Sequence, residues 1–157
     1  MAQSMLLDTN IWLDYFLPGR NNHKDAFALV HKAIMSGWKI LVSYNSLKDV
    51  YYLLQCELKC ALRAAGHDIT EKEAALARED AWGCISCIME NATVVNASMN
   101  DARMALHLRN VHPDFEDNLI LASALQSQAD FLVTGDAQLL AHSPIPAYSA
   151  QMAASAL

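Results

Sequence analysis

Four aspartates occupy positions at which a protein could assemble a catalytic carboxylate cluster. Asp8 and Asp136 each follow a short apolar segment, and Asp49 and Asp117 fall in the first turns of two predicted helices. Carboxylates that are crowded together repel one another, and some of them take up protons unless a cation lies among them. The pattern therefore predicts a divalent cation that activates water and neutralises charge during hydrolysis.

The chemistry of these side chains favours Mg²⁺ or Mn²⁺ over zinc. The four acids offer only hard oxygen ligands, with no His or Cys among them. Magnesium is typically held by one or two direct carboxylates, and water and substrate phosphate fill its other positions.

Each acid also has a structural explanation. An aspartate or glutamate in the first turn of a helix commonly caps it or interacts with its dipole, and this interpretation stays open for Asp49, Asp114 and Glu116. Asp8 and Asp136 are harder to explain in this way, because polar groups at the ends of buried strands are unfavourable unless they are satisfied or used. It is the convergence of all four aspartates that favours function.

Short apolar segments and helical spacings define the elements that must position these acids. The predicted strands are Met5–Leu7, Ile40–Ser43, Thr93–Val95 and Phe131–Thr134, with a weaker fifth, Ile145–Tyr148, at an edge. The predicted helices are Asn10–Phe16, Lys24–Ser36 with Gly37 as its stop, a helix capped by Ser46 and ending near Gly66, one from the Thr70 capping box to about Asn91, Asn100–Leu108 and Phe115–Ala129.

This alternation of strands and helices predicts an α/β fold. Its central sheet is mostly parallel, has four to five strands and carries helices on both faces. Ligands of such sheets bind outside the carboxyl ends of the strands. The four aspartates are all expected at that edge.

Composition limits the class of protein. The chain has 157 residues, of which 54% are hydrophobic, so we expect one domain over residues 1–157 with a substantial core. No secretory signal or membrane-spanning run is evident, and the four cysteines are expected to be reduced thiols in a cytoplasmic protein. A net charge of −6 argues against a protein that coats nucleic acid but does not exclude a nuclease.

The sequence resembles the PIN domain, the nuclease fold of VapC-type toxins and their relatives. The segments LLDTNIWLDYF, SLKDVYYLL, DFEDNLILASAL and ADFLVTGDAQLL match that family's four acidic motifs in order, and PIPAYSAQMAASAL matches its C-terminal strand and helix. The resemblance implies a three-layer α/β/α sandwich. It also implies roles for particular residues.

By this resemblance, Asp8, Asp117 and Asp136 would hold Mg²⁺ or Mn²⁺, and Asn10 would orient the cluster. Asp49 stands where the family commonly has Glu, so its carboxylate reaches one methylene less far and could act through water. Three further residues would support the cluster: Asp114 as an outer helper, and Thr9 and Thr134 as hydrogen-bond partners of the carboxylates. Asp14 lies within the predicted helix Asn10–Phe16, with no strand end beneath it, and is left out of the site.

The implied reaction is hydrolysis of RNA phosphodiester bonds by an endoribonuclease, the toxin of a type II toxin–antitoxin pair. A small antitoxin partner and a homodimer follow from the resemblance alone. Arg20, Lys24 and Lys48 are candidate RNA phosphate contacts, with solvated surface charges as the alternative. Trp12, Tyr15 and Phe16 could stack bases or line a dimer contact, although core packing is more usual for such residues.

Other functions are weighed against this one. A PIN-like module that binds RNA or protein without turnover stays open because Asp49 is short. A haloacid-dehalogenase-like phosphatase would need an acid two residues after Asp8, where this chain has Asn10. A zinc site could form from the pairs Cys56/Cys60 and Cys84/Cys87, but buried cysteine more often packs as a small hydrophobe. His107 and His112 are interpreted as surface or helix-end residues.

Overall fold

The computed structural model describes residues 3–157, and within that range all five strands form one parallel sheet. The strands are β1 (Ser4–Leu7), β2 (Lys39–Ser43), β3 (Thr93–Val95), β4 (Phe131–Val133) and β5 (Ala147–Tyr148). The helices are α1 (Thr9–Phe16), α2 (His23–Met35), α3 (Tyr44–Ala64), α4 (Glu71–Asn91), α5 (Met99–His107), α6 (Phe115–Gln126), α7 (Ala137–His142) and α8 (Ala150–Ala156). A 3₁₀ turn, Leu108–Asn110, follows α5.

Successive residues of each central strand enter two separate hydrophobic cores. In β1, Met5 and Leu7 pack with residues of α1, α2 and α8, whereas Leu6 packs with residues of α6 and α7. The same alternation occurs in β2 and β4, and these strand residues are almost completely buried. Apolar residues on both faces require helices on both faces. The predicted three-layer α/β/α sandwich is therefore confirmed.

The strand order β3-β2-β1-β4-β5 places a reversal of direction at β1. The chain winds from β1 through β2 to β3, and then crosses to the other side of β1 to add β4. Ligands bind at such a switch point, outside the carboxyl ends of the strands. The register pairs Leu7 with Val133, so Asp8 and Thr134 leave the sheet side by side. The Asp8 N–H donates to the Val133 carbonyl at 2.9 Å.

Most of the predicted boundaries lie within two residues of those in the structure, and two differ by three residues. The cap at Ser46 is wrong, because α3 begins directly after β2 with Ser43 at its N-cap position. Ser46 is instead buried in the first turn of α3, which moves Asp49 into the second turn. Helix α6 ends before the predicted Ala129, because Gln128 adopts a positive φ of 54° and turns the chain towards β4. The capping box at Thr70 is confirmed.

Gly37 ends α2 as predicted. It adopts a left-handed φ of 72°, which lets the Trp38 N–H donate back to the Ala33 carbonyl at 2.9 Å. Among residues 3–157, no helix has the length and apolar character needed to cross a membrane.

Candidate carboxylate site

A recess opens at the carboxyl end of β1, and we call it the carboxylate recess. It is lined by Asp8, Thr9, Asn10, Leu53, Asp114, Glu116, Asp117 and Ile120. These residues come from the start of α1, the middle of α3 and the first turns of α6. The winding of the sheet therefore brings together segments that lie more than a hundred residues apart in sequence.

Asp8 is the most buried acid of the recess. Its residue surface is 2% exposed, and the Thr134 hydroxyl donates a hydrogen bond to its Oδ2 at 2.8 Å. Burial raises the pKa of the Asp8 carboxyl to about 6, and the negative charges of Asp117 and Asp136 raise it further, against the lowering effect of the Thr134 hydrogen bond. The fold thus holds a carboxylate where its charge is poorly solvated. No cation of the chain is paired with it among residues 3–157.

Asp117 and Asp136 lie close enough to Asp8 to influence its ionisation. Asp117 is in the first turn of α6, and burial raises its pKa while the neighbouring His112 lowers it. Asp136 is the N-cap of α7, where its Oδ1 accepts the N–H groups of Gln138 and Leu139, both at 2.8 Å. Asp136 therefore serves the helix with one oxygen. Three of the four predicted aspartates converge.

His112 was interpreted as a surface or helix-end residue, and this is wrong. It is 8% exposed and lies between two of the acids, with Nδ1 3.2 Å from Asp117 Oδ2 and Nε2 3.5 Å from Asp136 Oδ1. Nδ1 also accepts the Asp114 N–H at 3.0 Å, so the neutral ring carries its proton on Nε2, facing Asp136. The Asn118 amide donates to the His112 carbonyl at 2.7 Å and anchors this segment. His107, by contrast, is exposed at the end of α5, as expected.

The fourth aspartate, Asp49, does not line the recess directly. It lies on α3, its side chain is 12% exposed, and Lys48 Nζ lies 3.2 Å from its Oδ1. Its carboxyl lies next to that of Glu116, which does line the recess. This contact, together with burial and the Asp49 charge, raises the pKa of Glu116 to about 7. The predicted site did not include Glu116, because an acid at the start of a helix has a simpler explanation.

The predicted supporting residues divide into two groups. Thr134 is a carboxylate partner, as expected, and its Oγ1 also accepts the Asp136 N–H at 3.0 Å. The Thr9 hydroxyl donates to Ser46 Oγ at 3.0 Å instead of to a carboxylate. The first group thus fixes Asp8, whereas the Thr9 side chain joins α1 to α3.

Asn10 and Asp114 lie at the recess without the predicted contacts. Asn10 is exposed, and among residues 3–157 its amide has no hydrogen bond to a carboxylate. Asp114 is the N-cap of α6, where its Oδ1 accepts the Glu116 N–H at 2.8 Å. Asp114 therefore caps α6. Its negative charge also raises the pKa of Asp117.

Arg20, a candidate RNA contact, is engaged in ion pairs within the protein. Its Nε lies 2.6 Å from Asp14 Oδ1, and its Nη1 bonds to Glu57. We call this ion-pair set the Arg20 bridge; it ties the loop after α1 to α1 and α3. Lys24 and Lys48 are exposed, and Lys24 has no ion pair within residues 3–157. Asp14 is buried in the bridge, which agrees with its exclusion from the site.

The three aromatic residues of α1 pack in or around the core, and the cysteines form no disulfide. Trp12 is 1% exposed in the core, and Tyr15 and Phe16 pack around it. The four cysteines are free, and Cys56 and Cys60 are exposed. Within residues 3–157, no three His, Cys, Asp or Glu side chains are grouped closely enough to hold a metal ion. A closed zinc site is thus absent from the described part of the chain.

The recess nevertheless fits a hydrated hard cation. Its acids present oxygen ligands, and burial raises the pKa values of Asp8 and Asp117, because the charged forms of these carboxyls are poorly solvated there. Mg²⁺ is held through few direct carboxylates and several waters, so it does not require a preformed cage of three side chains. The donor set therefore suits Mg²⁺ or Mn²⁺ better than zinc.

Comparisons with known proteins point to one family. A family model described as "PIN domain" matches residues 4–138. No curated protein sequence matches the chain significantly.

Solved structures with the same fold include three bacterial examples. The VapBC2 structure from Rickettsia felis bound to a promoter DNA fragment is 16% identical, with a TM-score of 0.63, and covers 94% of this chain and 98% of that one. VapC20 from Mycobacterium tuberculosis, described as a Sarcin-Ricin loop cleaving toxin, is 12% identical, with a TM-score of 0.58 and coverages of 82% and 86%. A toxin-antitoxin complex from Klebsiella pneumoniae is 19% identical, with a TM-score of 0.57 and coverages of 93% and 97%.

Proposed function

The chain belongs to the PIN domain family, and from this membership we propose that it is a metal-dependent endoribonuclease that hydrolyses RNA phosphodiester bonds. The observation that carries the proposal is the convergence of Asp8, Asp117 and Asp136 at the topological switch point of the sheet. Buried acids that are not neutralised by their own protein are typical of functional sites. We propose that Asp8, Asp117 and Asp136 hold Mg²⁺ or Mn²⁺, in part through bound water.

The residues of the recess have distinct roles in this proposal. A bound divalent cation would supply water activation and neutralisation of phosphate charge. Thr134 holds the Asp8 carboxylate in one orientation through its 2.8 Å hydrogen bond, and Asp136 is fixed at the adjacent α7 terminus. His112 packs against the outer side of Asp117 and Asp136 and limits their rotation. Asp49 lies outside the recess and acts on it through Glu116. Asn10, which is exposed at the recess, contacts the substrate.

Because the protein has a net negative charge, it needs exposed cations to attract RNA. The Lys48 side chain is 69% exposed beside Asp49, and Lys24 is exposed on α2. We propose that these lysines contact phosphates and that Arg20 stabilises the fold instead.

We further propose that the protein is a VapC-like toxin, acts in the cytoplasm and is inhibited by a small antitoxin. Structural neighbours that are described as VapBC and toxin-antitoxin complexes support this assignment through the shared fold. A homodimer is also proposed. Size-exclusion chromatography with light scattering tests the dimer, and co-expression with the product of an adjacent short reading frame tests the antitoxin.

The nuclease proposal is tested by incubating purified protein with total and structured RNAs in Mg²⁺ or Mn²⁺, with and without a chelator. Asp8→Asn is the site variant. Asp68→Asn, which changes an exposed aspartate between α3 and α4, is the matched control. We expect cleavage that requires the cation, is lost in Asp8→Asn and is retained in Asp68→Asn.

Two outcomes would count against a nuclease. Cleavage that persists in the chelator or in Asp8→Asn would place the activity elsewhere, or in a contaminant. Cation binding at the recess without cleavage of any RNA would favour the non-catalytic binding module, which the marginal position of Asp49 makes the main alternative.

A further inference from the structure

We propose that Glu116 is a further member of the cation-binding set and works as a pair with Asp49. This inference rests on the proposed function, because it assigns a residue to the same site. The family resemblance places Asp49 alone at this corner, and Glu116 has no part in the roles that it implies.

The position of Glu116 is the first step. Glu116 lines the carboxylate recess together with Asp8 and Asp117, whereas Asp49 does not border the recess. The carboxyl groups of Glu116 and Asp49 nevertheless lie next to each other. Glu116 therefore connects Asp49 to the space in which the other acids converge.

The lengths of the two side chains explain the arrangement. Asp49 is one methylene shorter than the Glu that is common at this position in the resembling family, and it lies in the second turn of α3 with a side chain that is only 12% exposed. Glu116 reaches from the opposite side, from the first turn of α6. The carboxylate that a longer residue at position 49 would extend into the recess is thus contributed by α6.

Helix α6 holds Glu116 in place. The Glu116 N–H donates to Oδ1 of the N-cap residue Asp114 at 2.8 Å, which fixes the backbone of the first turn. Asp117, a proposed cation ligand, is the next residue. One helix start therefore positions two recess carboxylates.

The charge around the pair points to an external cation. Two adjacent carboxyl groups require a positive charge or a shared proton between them. Lys48 Nζ, 3.2 Å from Asp49 Oδ1, is the nearby cation, but its side chain is 69% exposed and its charge is largely screened by water. The Glu116 carboxyl lines the recess with those of Asp8 and Asp117, where a divalent cation would supply the positive charge.

Mn²⁺ titration of the full-length protein tests the proposal, with electron paramagnetic resonance to count the free ion. Four proteins are compared with the wild type: Glu116→Gln, Asp49→Glu, the double variant Asp49→Glu/Glu116→Gln, and Glu90→Gln as an exposed control at the end of α4. We expect Glu116→Gln to weaken Mn²⁺ binding by about 10-fold or more and Glu90→Gln to leave it unchanged. The double variant should recover much of the loss, because Glu at position 49 restores the missing reach.

Thermal melts confirm that each variant is folded. If Glu116→Gln is not, Glu116→Asp keeps the charge, shortens the reach and should still weaken binding. Wild-type affinity in Glu116→Gln would overturn the proposal, and a loss that the double variant does not recover would overturn the pairing with Asp49. If Mn²⁺ binding depends on Glu116 but the protein cleaves no RNA, only the nuclease proposal would be refuted. RNA cleavage with an unaffected Glu116→Gln would refute only this inference.

Discussion

Asp8 and Asp14 lie six residues apart and are about equally buried, at 2% and 4% exposure, yet their surroundings differ completely. Asp14 belongs to the Arg20 bridge, in which a guanidinium group of the same chain lies 2.6 Å from its carboxylate. Asp8 has a threonine hydroxyl as its partner and two further acids nearby. The difference teaches that compensation, more than burial, separates a structural acid from a candidate functional one.

The two regions also differ in whether the protein itself compensates their negative charge. The Arg20 bridge is electrostatically complete in the protein alone. The carboxylate recess carries acids whose pKa values are raised, so the folded chain bears a cost there that a divalent cation would remove. A fold that retains such a cost usually does so for function.

The largest expected effect is on RNA cleavage. Asp8→Asn removes a charge that the recess has no other way to supply, so we expect a loss of at least the ~10–100-fold that removal of a mere supporting residue costs at metal sites. Asp14→Asn leaves the recess intact and should retain much more activity. Single-turnover rates with saturating Mg²⁺ measure both.

One result would contradict this first prediction. Equal losses in the two variants, with both proteins folded by circular dichroism, would show that the recess and the Arg20 bridge do not differ in function.

The next effect is a pH-dependent gain of stability in Asp8→Asn without cations. The folded protein keeps the Asp8 proton up to about pH 6, whereas the unfolded chain releases it near 3.8. Wild-type stability should therefore fall as pH rises from about 4 to 6 and stay lower above. The whole difference is on the order of 3 kcal/mol. Urea unfolding in a chelator, at pH 4.5 and 7.5, measures it.

The stability difference between Asp8→Asn and the wild type should grow with pH over this interval. A difference that is constant between pH 4.5 and 7.5 would mean that Asp8 is not held at a raised pKa.

Asp14→Asn should have the opposite effect on stability. It leaves Arg20 with Glu57 alone, and a partly buried charge loses its more buried partner. We expect a loss of roughly 1–3 kcal/mol in the free energy of unfolding, measured by urea denaturation at pH 7.5. Glu57→Gln should cost less, because the Glu57 side chain is 38% exposed. A larger cost at Glu57 than at Asp14 would contradict this ranking.

The smallest effect concerns the orientation of Asp8. Thr134→Val removes both the donor to Asp8 and the acceptor of the Asp136 N–H, while the shape of the fully buried side chain is nearly conserved. We expect Mn²⁺ affinity to fall by about 10-fold. Thr134→Ser keeps the hydroxyl and should bind nearly as the wild type does. Unchanged binding in the valine variant would show that Asp8 needs no positioning.

The fold was predictable because its determinants are local. Apolar strands such as Met5–Leu7 alternate with helical spacings, and this pattern specifies a parallel sheet between two helical layers. The error at Ser46 arose because Ser43 and Ser46 are both suitable caps, and only the direct continuation of β2 into α3 decides between them. The early end of α6 depends on the backbone of Gln128, a residue type that rarely signals a left-handed turn.

The site was predictable where residues follow strands and less so elsewhere. Asp8 and Asp136 are placed by the sheet itself. His112 and Glu116 depend on how the segment before α6 and its first turn lie against α3 and α7, which no spacing reveals. The ion pairs of Arg20 with Asp14 and Glu57 were not predictable, because a chain reversal at Pro18-Gly19 brings these residues together.

The central claim is that the carboxylate recess binds a divalent cation from solution. The acids of the Arg20 bridge, by contrast, are already paired with a guanidinium group of the same chain. Urea unfolding with and without Mn²⁺ tests it most directly in three proteins: wild type, Asp8→Asn and Asp14→Asn. At Mn²⁺ concentrations of about 100 times Kd, the wild type and Asp14→Asn should each gain about 2.7 kcal/mol and Asp8→Asn much less. An equal gain in Asp8→Asn would contradict the account.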